Sequence, residues 1–277
     1  MLSEGVSSGL MSWIDLEKAF NRALSYSFSL KKALLVFPAL VLCGILVVFC
    51  RALHFGASEW IRVGLVFLPI LLSSAVLLST GVLIIRMYEY ELKQQSIGFK
   101  KLLMGSVDAI LGTSYLSIPP ILLYLLLWIV LGVFFLMKEI PGVGQLLNTV
   151  LLFVPFLLIL FSILLCVLSV FILFFLAPAA AKFSVKRMQL AKMALSLFQR
   201  EFFTKSALFL VGLAPLILFS LILMWAASLT HVSFSYGQQS WILALEWFFM
   251  MFPFALFLTP AVIFFFQFAV EADRFRK

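Results

Sequence analysis

Six stretches of this chain contain no Asp, Glu, Lys or Arg: Ala33–Cys50, Val63–Ile85, Ala109–Met137, Ile140–Ala181, Ser206–Leu245 and Trp247–Val270. Together they take up nearly two thirds of the 277 residues. An apolar run of about 18 residues or more is read as a membrane span, because a helix rises about 1.5 Å per residue and the hydrocarbon core is about 30 Å thick. Composition agrees, with 64% hydrophobic and 12% charged residues and a mean hydropathy of +1.18; a soluble domain carries about 25% charge. Each piece between the runs is shorter than the roughly 50 residues an independent domain needs. That excludes a soluble catalytic or receptor domain, and the chain reads as a single all-α, polytopic membrane domain.

Runs one, two, three and six are single spans. Ser206–Leu245 is long enough for two helices, but the polar stretch Ser228–Ser240, with Gly237 inside it, marks a loop after a fifth helix that ends near Ala227. Ile140–Ala181 has its breakers at the start, in Pro141-Gly-Val-Gly144, and no turn residues within Leu157–Cys166, so it reads as one long fourth helix with Pro155 as a candidate kink. The expected spans are 33–50, 63–85, 111–137, 149–177, 206–227 and 247–270.

Basic residues test this count independently. Seventeen of the twenty Lys and Arg fall in the N-terminal segment, the second-to-third and fourth-to-fifth connections and the C-terminus, leaving Arg51, Arg62 and Lys138 for the other side. By the positive-inside rule both termini are expected in the cytoplasm. A seventh span would destroy the alternation. Residues 1–32 contain no apolar stretch followed by a small-residue cleavage site, so the first span is expected to serve as the insertion signal. The net charge of +8 and pI near 9.5 then follow from orientation and from anionic lipid on the cytoplasmic face, with no nucleic-acid partner needed.

Amphipathic stretches precede each pair of spans. From Ser12, an S-x-x-D capping pattern with Asp15 opens a segment whose apolar Trp13, Leu16, Phe20, Leu24 and Phe28 recur at helical spacing, with Lys18, Asn21, Arg22 and Ser25 off the stripe. Its expected place is the membrane interface. A second stretch sets Phe99, Leu102, Leu103 and Val107 beside Lys100 and Lys101, and a third sets Leu190, Met193, Leu197 and Phe202 against Lys186, Arg187, Lys192 and Arg200. A shift of 174 residues lays Leu16 on Leu190, Lys18 on Lys192 and Ala33-Leu34 on Ala207-Leu208, which suggests three repeats of interfacial helix plus hairpin; convergent topology gives the same alignment. The six basic residues of the fourth-to-fifth connection, Lys182, Lys186, Arg187, Lys192, Arg200 and Lys205, are the candidate contacts to anionic lipid.

The order of basic amphipathic helix, hairpin, outer turn Ile140-Pro-Gly-Val-Gly144, long fourth helix ending at Leu176-Ala-Pro178, and basic segment Ala191 to Lys205 resembles the YciC-like six-helix inner-membrane proteins. It is similar also to the related membrane domain of some glycerophosphodiester phosphodiesterases. The resemblance implies a bacterial inner-membrane protein. Where that family often places an acid after the helix-four proline, this chain has Ala179-Ala-Ala-Lys182, and it has no phosphodiesterase domain whose chemistry could be carried over.

Chemistry within a membrane is usually carried by ionisable groups inside the spans, and the runs contain none. Asp108 and Glu246 are expected at helix starts, where the macrodipole favours acids. His54 and His231 show no metal-ligand spacing, and Cys43, Cys50 and Cys166 read as small hydrophobes. Nine of ten prolines lie in or at spans, and kinked helices with Ser73, Ser74, Ser79, Thr80, Ser114, Tyr115, Ser117, Gln145, Asn148 or Gln267 facing inward could line a cavity. Helix contacts explain the same residues, including Ala75-x-x-x-Ser79. The expected function is therefore that of a non-enzymatic membrane protein without cofactor or metal, acting as a scaffold, assembly factor or lipid-organising element. The alternative is a transporter or flippase for a neutral or amphipathic solute.

Overall fold

The computed structural model describes residues 13–54, 56–94, 99–140, 144, 153–182, 202–229 and 241–274. Among them all regular structure is helical: α1 (Trp13–Ser25), α2 (Leu30–Ala52), α3 (Glu59–Leu92), α4 (Phe99–Lys138), α5 (Phe153–Lys182), α6 (Phe202–Leu229) and α7 (Trp241–Arg274). Helices α2 to α7 are each long and apolar enough to cross a membrane, so the described residues hold six membrane-spanning helices, with a short amphipathic helix ahead of the first.

The observed helices outrun the charge-free runs at most ends. α3 has 34 residues and α4 has 40, about 51 and 60 Å at 1.5 Å per residue, well beyond about 30 Å of hydrocarbon. The second amphipathic stretch is not a separate interfacial helix but the first turns of α4, because nothing between Phe99 and Ala109 breaks a helix except Gly105, which costs only about 1 kcal/mol. This departs from the first unit, where the chain turns at Tyr26–Phe28 between α1 and α2, and so the two units differ locally. Asp108 consequently lies ten residues into α4, and Glu246 lies beyond the first turn of α7; neither is a helix-start acid. Pro155 sits in the first turn of α5, where its missing N–H costs nothing, and is no kink. Pro178 does not end α5, which continues to Lys182. The third amphipathic stretch lies outside the described residues apart from its end at Phe202.

α7 is the hub. It packs against α1, α2, α3, α5 and α6, while α3 packs also against α2, α4 and α5. Every residue from Ala261 to Ala272 of α7 is buried, and its Phe264, Phe265, Phe266 and Phe268 meet Leu78–Tyr88 of α3, Phe171–Ala181 of α5 and Phe209 of α6 in the main core. Phe174 lies 5.1 Å from Phe265, and Phe264 stacks on Phe268 at 5.7 Å. Hydrophobic driving force is weak between helices in lipid, so such packing and close backbone approach hold the bundle. Glycines provide the approach: Phe266 occupies the space a Cβ on Gly81 would take, and Met251 does so at Gly44. On α3 and α4, Trp128 covers Gly64 and Trp60 covers Gly132 in a reciprocal clasp, with Trp128 Nε1 donating to Trp60 O at 3.3 Å and the Tyr124 hydroxyl donating to Gly64 O.

α1 docks on α7 instead of lying free in the interface. Its inward face is Leu16, Ala19, Phe20 and Ala23, whereas Leu24 and Phe28 of the expected stripe point outward, Phe28 being 71% exposed. Phe20 meets Phe264 at 4.9 Å. The small Ala19 and Ala23, which a stripe of large apolar residues leaves out, let the helix approach closely.

Candidate functional site at the terminal end of the bundle

The two ends of the bundle differ in chemistry, and the richer one is where the start of α2, the end of α3 and the end of α7 meet α1. Ionisable side chains that sequence reading places at span edges meet here, Lys32, Tyr88 and Glu271 buried and Glu91, Arg22 and Arg274 reaching the surface. Lys32, in the first turn of α2, is fully buried, and its Nζ lies 2.5 Å from Glu91 Oε2 in the last turn of α3. The same ammonium lies over the rings of Tyr88 and Tyr26, at 5.2 and 5.4 Å, and donates to Tyr26 O at 3.4 Å. An ammonium desolvated between a carboxylate and two aromatic faces is held by cation–π attraction as well as by its ion pair.

Tyr88 continues the network. Its buried hydroxyl donates to Glu271 Oε1 at 2.6 Å, Arg274 reaches the same oxygen at 3.2 Å, and Arg22 of α1 lies 3.5 Å from Oε2. Glu271 is 3% exposed. Beside it, Gln267 Nε2 donates to Tyr26 O at 3.2 Å, while Ser27 Oγ donates to Ala23 O at 2.7 Å, so the turn between α1 and α2 is anchored on α7. Arg86 Nε donates to Ala181 O at 3.2 Å, capping the negative end of α5 with a cation. Glu271 is held by a phenol and two guanidiniums, which makes it a clamp between helices.

A polar pocket of about 280 Å³ opens next to the clamp, lined by Asp15, Lys18 and Arg22 of α1 and by Glu271 and Arg274 of α7. Three cations face two carboxylates, and two of the cations, Arg22 and Arg274, are already paired with Glu271, leaving Lys18 and Asp15 of α1 on the other wall.

The residues singled out from sequence divide sharply. Of the six candidate lipid-contact cations, Lys186, Arg187, Lys192 and Arg200 lie outside the described residues, Lys182 is the last residue of α5, and Lys205, in the first turn of α6, is buried within the fold. Gln267 faces the clamp, not a cavity between kinked helices. Ser74 and Ser117 do share a cavity, together with Ser169, but its volume is about 10 Å³, room for about one water. Ser79 and Thr80 donate back to Ala75 O and Val76 O of their own helix. Tyr115 is 48% exposed, Ser73 is half-buried with its carbonyl 3.9 Å from Cys43 Sγ, and Gln145 and Asn148 lie outside the described residues. Cys43, Cys50 and Cys166 are buried free thiols. His54 Nδ1 lies 3.3 Å from Cys50 O at the end of α2, and His231 lies outside the described residues.

Lys32, Tyr88, Glu91, Glu271 and Arg274 were missed as a group. A signal existed: all five sit near span boundaries on the side carrying most of the basic residues, so opposite charges were available at one depth. Comparison with known proteins adds nothing to this geometry, since no protein-family model, curated protein or solved structure matches the chain.

Proposed function

We propose that this protein is a non-enzymatic, multi-pass scaffold of a bacterial inner membrane that organises anionic lipid on the cytoplasmic face, where both termini lie. The observation that carries the reading is the pocket of about 280 Å³ in which Lys18, Arg22 and Arg274 meet between docked α1 and α7. The basic residues Lys186, Arg187, Lys192 and Arg200 of the fourth-to-fifth connection belong to the same side by the alternation of charge. Each such cation near an anionic surface contributes about 1 kcal/mol, roughly a fivefold preference. The resemblance to the YciC-like membrane proteins is compatible with this role. The cavity that Ser74 and Ser117 line, two of the residues a solute path between kinked helices would use, has space for about one water.

Lipid selectivity of the full-length protein in nanodiscs tests the reading. With phosphatidylglycerol and phosphatidylcholine of matched chains, native mass spectrometry should find phosphatidylglycerol retained preferentially. The double change Lys18→Gln and Arg274→Gln should reduce that preference by more than tenfold without altering elution of the folded protein. Equal retention of the two lipids by the unaltered protein would refute lipid organisation as its role.

The orientation has its own test. Single cysteines at positions 10 and 190 should be protected from an impermeant thiol reagent in intact cells, and those at 140 and 236 should react. Labelling at 190 from outside would reverse the topology and remove the cytoplasmic assignment.

A further inference from the structure

Hydroxyls inside the spans share a habit: Ser79, Thr80, Ser162, Ser220 and Thr259 each donate to the carbonyl four residues back on their own helix. Such a bond spends the hydroxyl hydrogen and leaves the oxygen able to accept. Ser117 of α4 departs from the habit, and its hydroxyl has no hydrogen-bond partner among the described residues. It lines the cavity of about 10 Å³ where α3, α4 and α5 meet, with Ser74 of α3 and Ser169 of α5 on the other walls. Ser74 Oγ donates to Leu71 O at 2.7 Å and Ser169 Oγ to Leu165 O at 2.9 Å, so both keep their acceptor capacity. The apolar lining includes Leu71, Leu78 and Leu173, all buried.

One donor and two acceptors, each from a different helix, thus line a space of one-water size, since a buried water needs about 10–15 Å³ and about two to four polar partners. Pro120 lines the same cavity and, lacking an N–H, cannot give the carbonyl of Leu116 the hydrogen bond that the helix would otherwise supply. Ordered water is among the groups that satisfy backbone freed by proline in membrane helices. We infer that the junction of α3, α4 and α5 binds a single water, which accepts from Ser117 and donates to Ser74 and Ser169. Hydrophobic driving force between helices is weak in lipid, so a polar node shared by three spans fixes their register as apolar packing alone does not. The site lies apart from the pocket between α1 and α7 and does not depend on the function proposed for that pocket.

Radiolytic labelling of the full-length protein in nanodiscs provides the test. In heavy-oxygen water, a short X-ray pulse turns a bound water into a hydroxyl radical that oxidises the side chains touching it. Leu78 and Leu173, buried on the cavity wall, should take up heavy oxygen severalfold faster than Phe264 and Phe266, which are buried as deeply in the main core and carry more reactive rings. Ser117→Ala, which removes the donor, should bring the two leucines down to the level of those phenylalanines, and Ser169→Ala, which removes an acceptor on another helix, should also lower their labelling. Leucine labelling no faster than that of the two phenylalanines in the unaltered protein would overturn the inference, as would unchanged labelling in both variants. The unaltered protein supplies the first comparison, so a failure of either variant to fold does not spare the proposal.

Discussion

Replacing Glu91 with alanine should destabilise the protein by about 3–5 kcal/mol, and replacing Lys32 with methionine should cost less than half of that. The asymmetry comes from burial. Lys32 has no exposed side-chain surface, whereas Glu91 retains 31%. Losing Glu91 strands an ammonium in an apolar, aromatic surround with only the Tyr26 carbonyl and two ring faces as partners. Losing Lys32 leaves a carboxylate whose Oε2 is buried but whose side chain is 31% exposed, and methionine fills the vacated space without strain. The double change of Lys32→Met and Glu91→Leu should recover most of the loss, because a buried ion pair exchanged for apolar residues of similar size is often neutral. Unfolding by denaturant in defined micelles, read by circular dichroism, measures the series. Equal losses for the two single changes would mean that Lys32 is solvated and the pair is not a buried one.

Gly81→Val should cost about 3 kcal/mol, near the top of the usual range for overpacking. The new Cβ falls on the Phe266 ring, which is itself fully buried between α3 and α7 and abuts Phe265 at 5.4 Å, so the ring has nowhere to go. Phe266→Ala in the Gly81→Val background should restore part of the stability, a coupling expected only of residues in direct contact. Strictly additive losses would show that α3 and α7 do not approach at Gly81.

The six spans were legible because lipid imposes a length and a polarity that any apolar run must meet. Helix ends were not. Charge-free windows stop at Lys32, Arg86 and Glu271, yet the helices continue through all three, since a charge that finds a partner on a neighbouring helix need not end a span. Glu271 and Tyr88 are 183 residues apart in sequence, and no periodicity brings them together. Likewise α1 could be read as amphipathic from Leu16 and Phe20, but the face it buries is decided by Ala19 and Ala23, whose small size signals contact only once a partner helix is known. The clamp was hidden by the same habit of treating edge charges as solvated.

The hub position of α7 also bears on the order in which the protein can be made. α7 follows the six other described helices, so it is synthesised after them, yet it supplies the surface on which α1, α2, α3, α5 and α6 converge. Until it inserts, Gly81 and Gly44 present bare notches, the Tyr88 hydroxyl has no carboxylate, and the turn at Tyr26 has no amide from Gln267 to hold it. Helices α2, α3, α4 and α5 can pair on α3 beforehand, α3 and α4 through the Trp60–Trp128 clasp, whereas α1 and α6 have their main packing partner only once α7 is in place. Assembly has the character of a keystone set last, and a nascent chain stalled before Trp241 would be a substrate for membrane proteases even though five of its six spans were already in place.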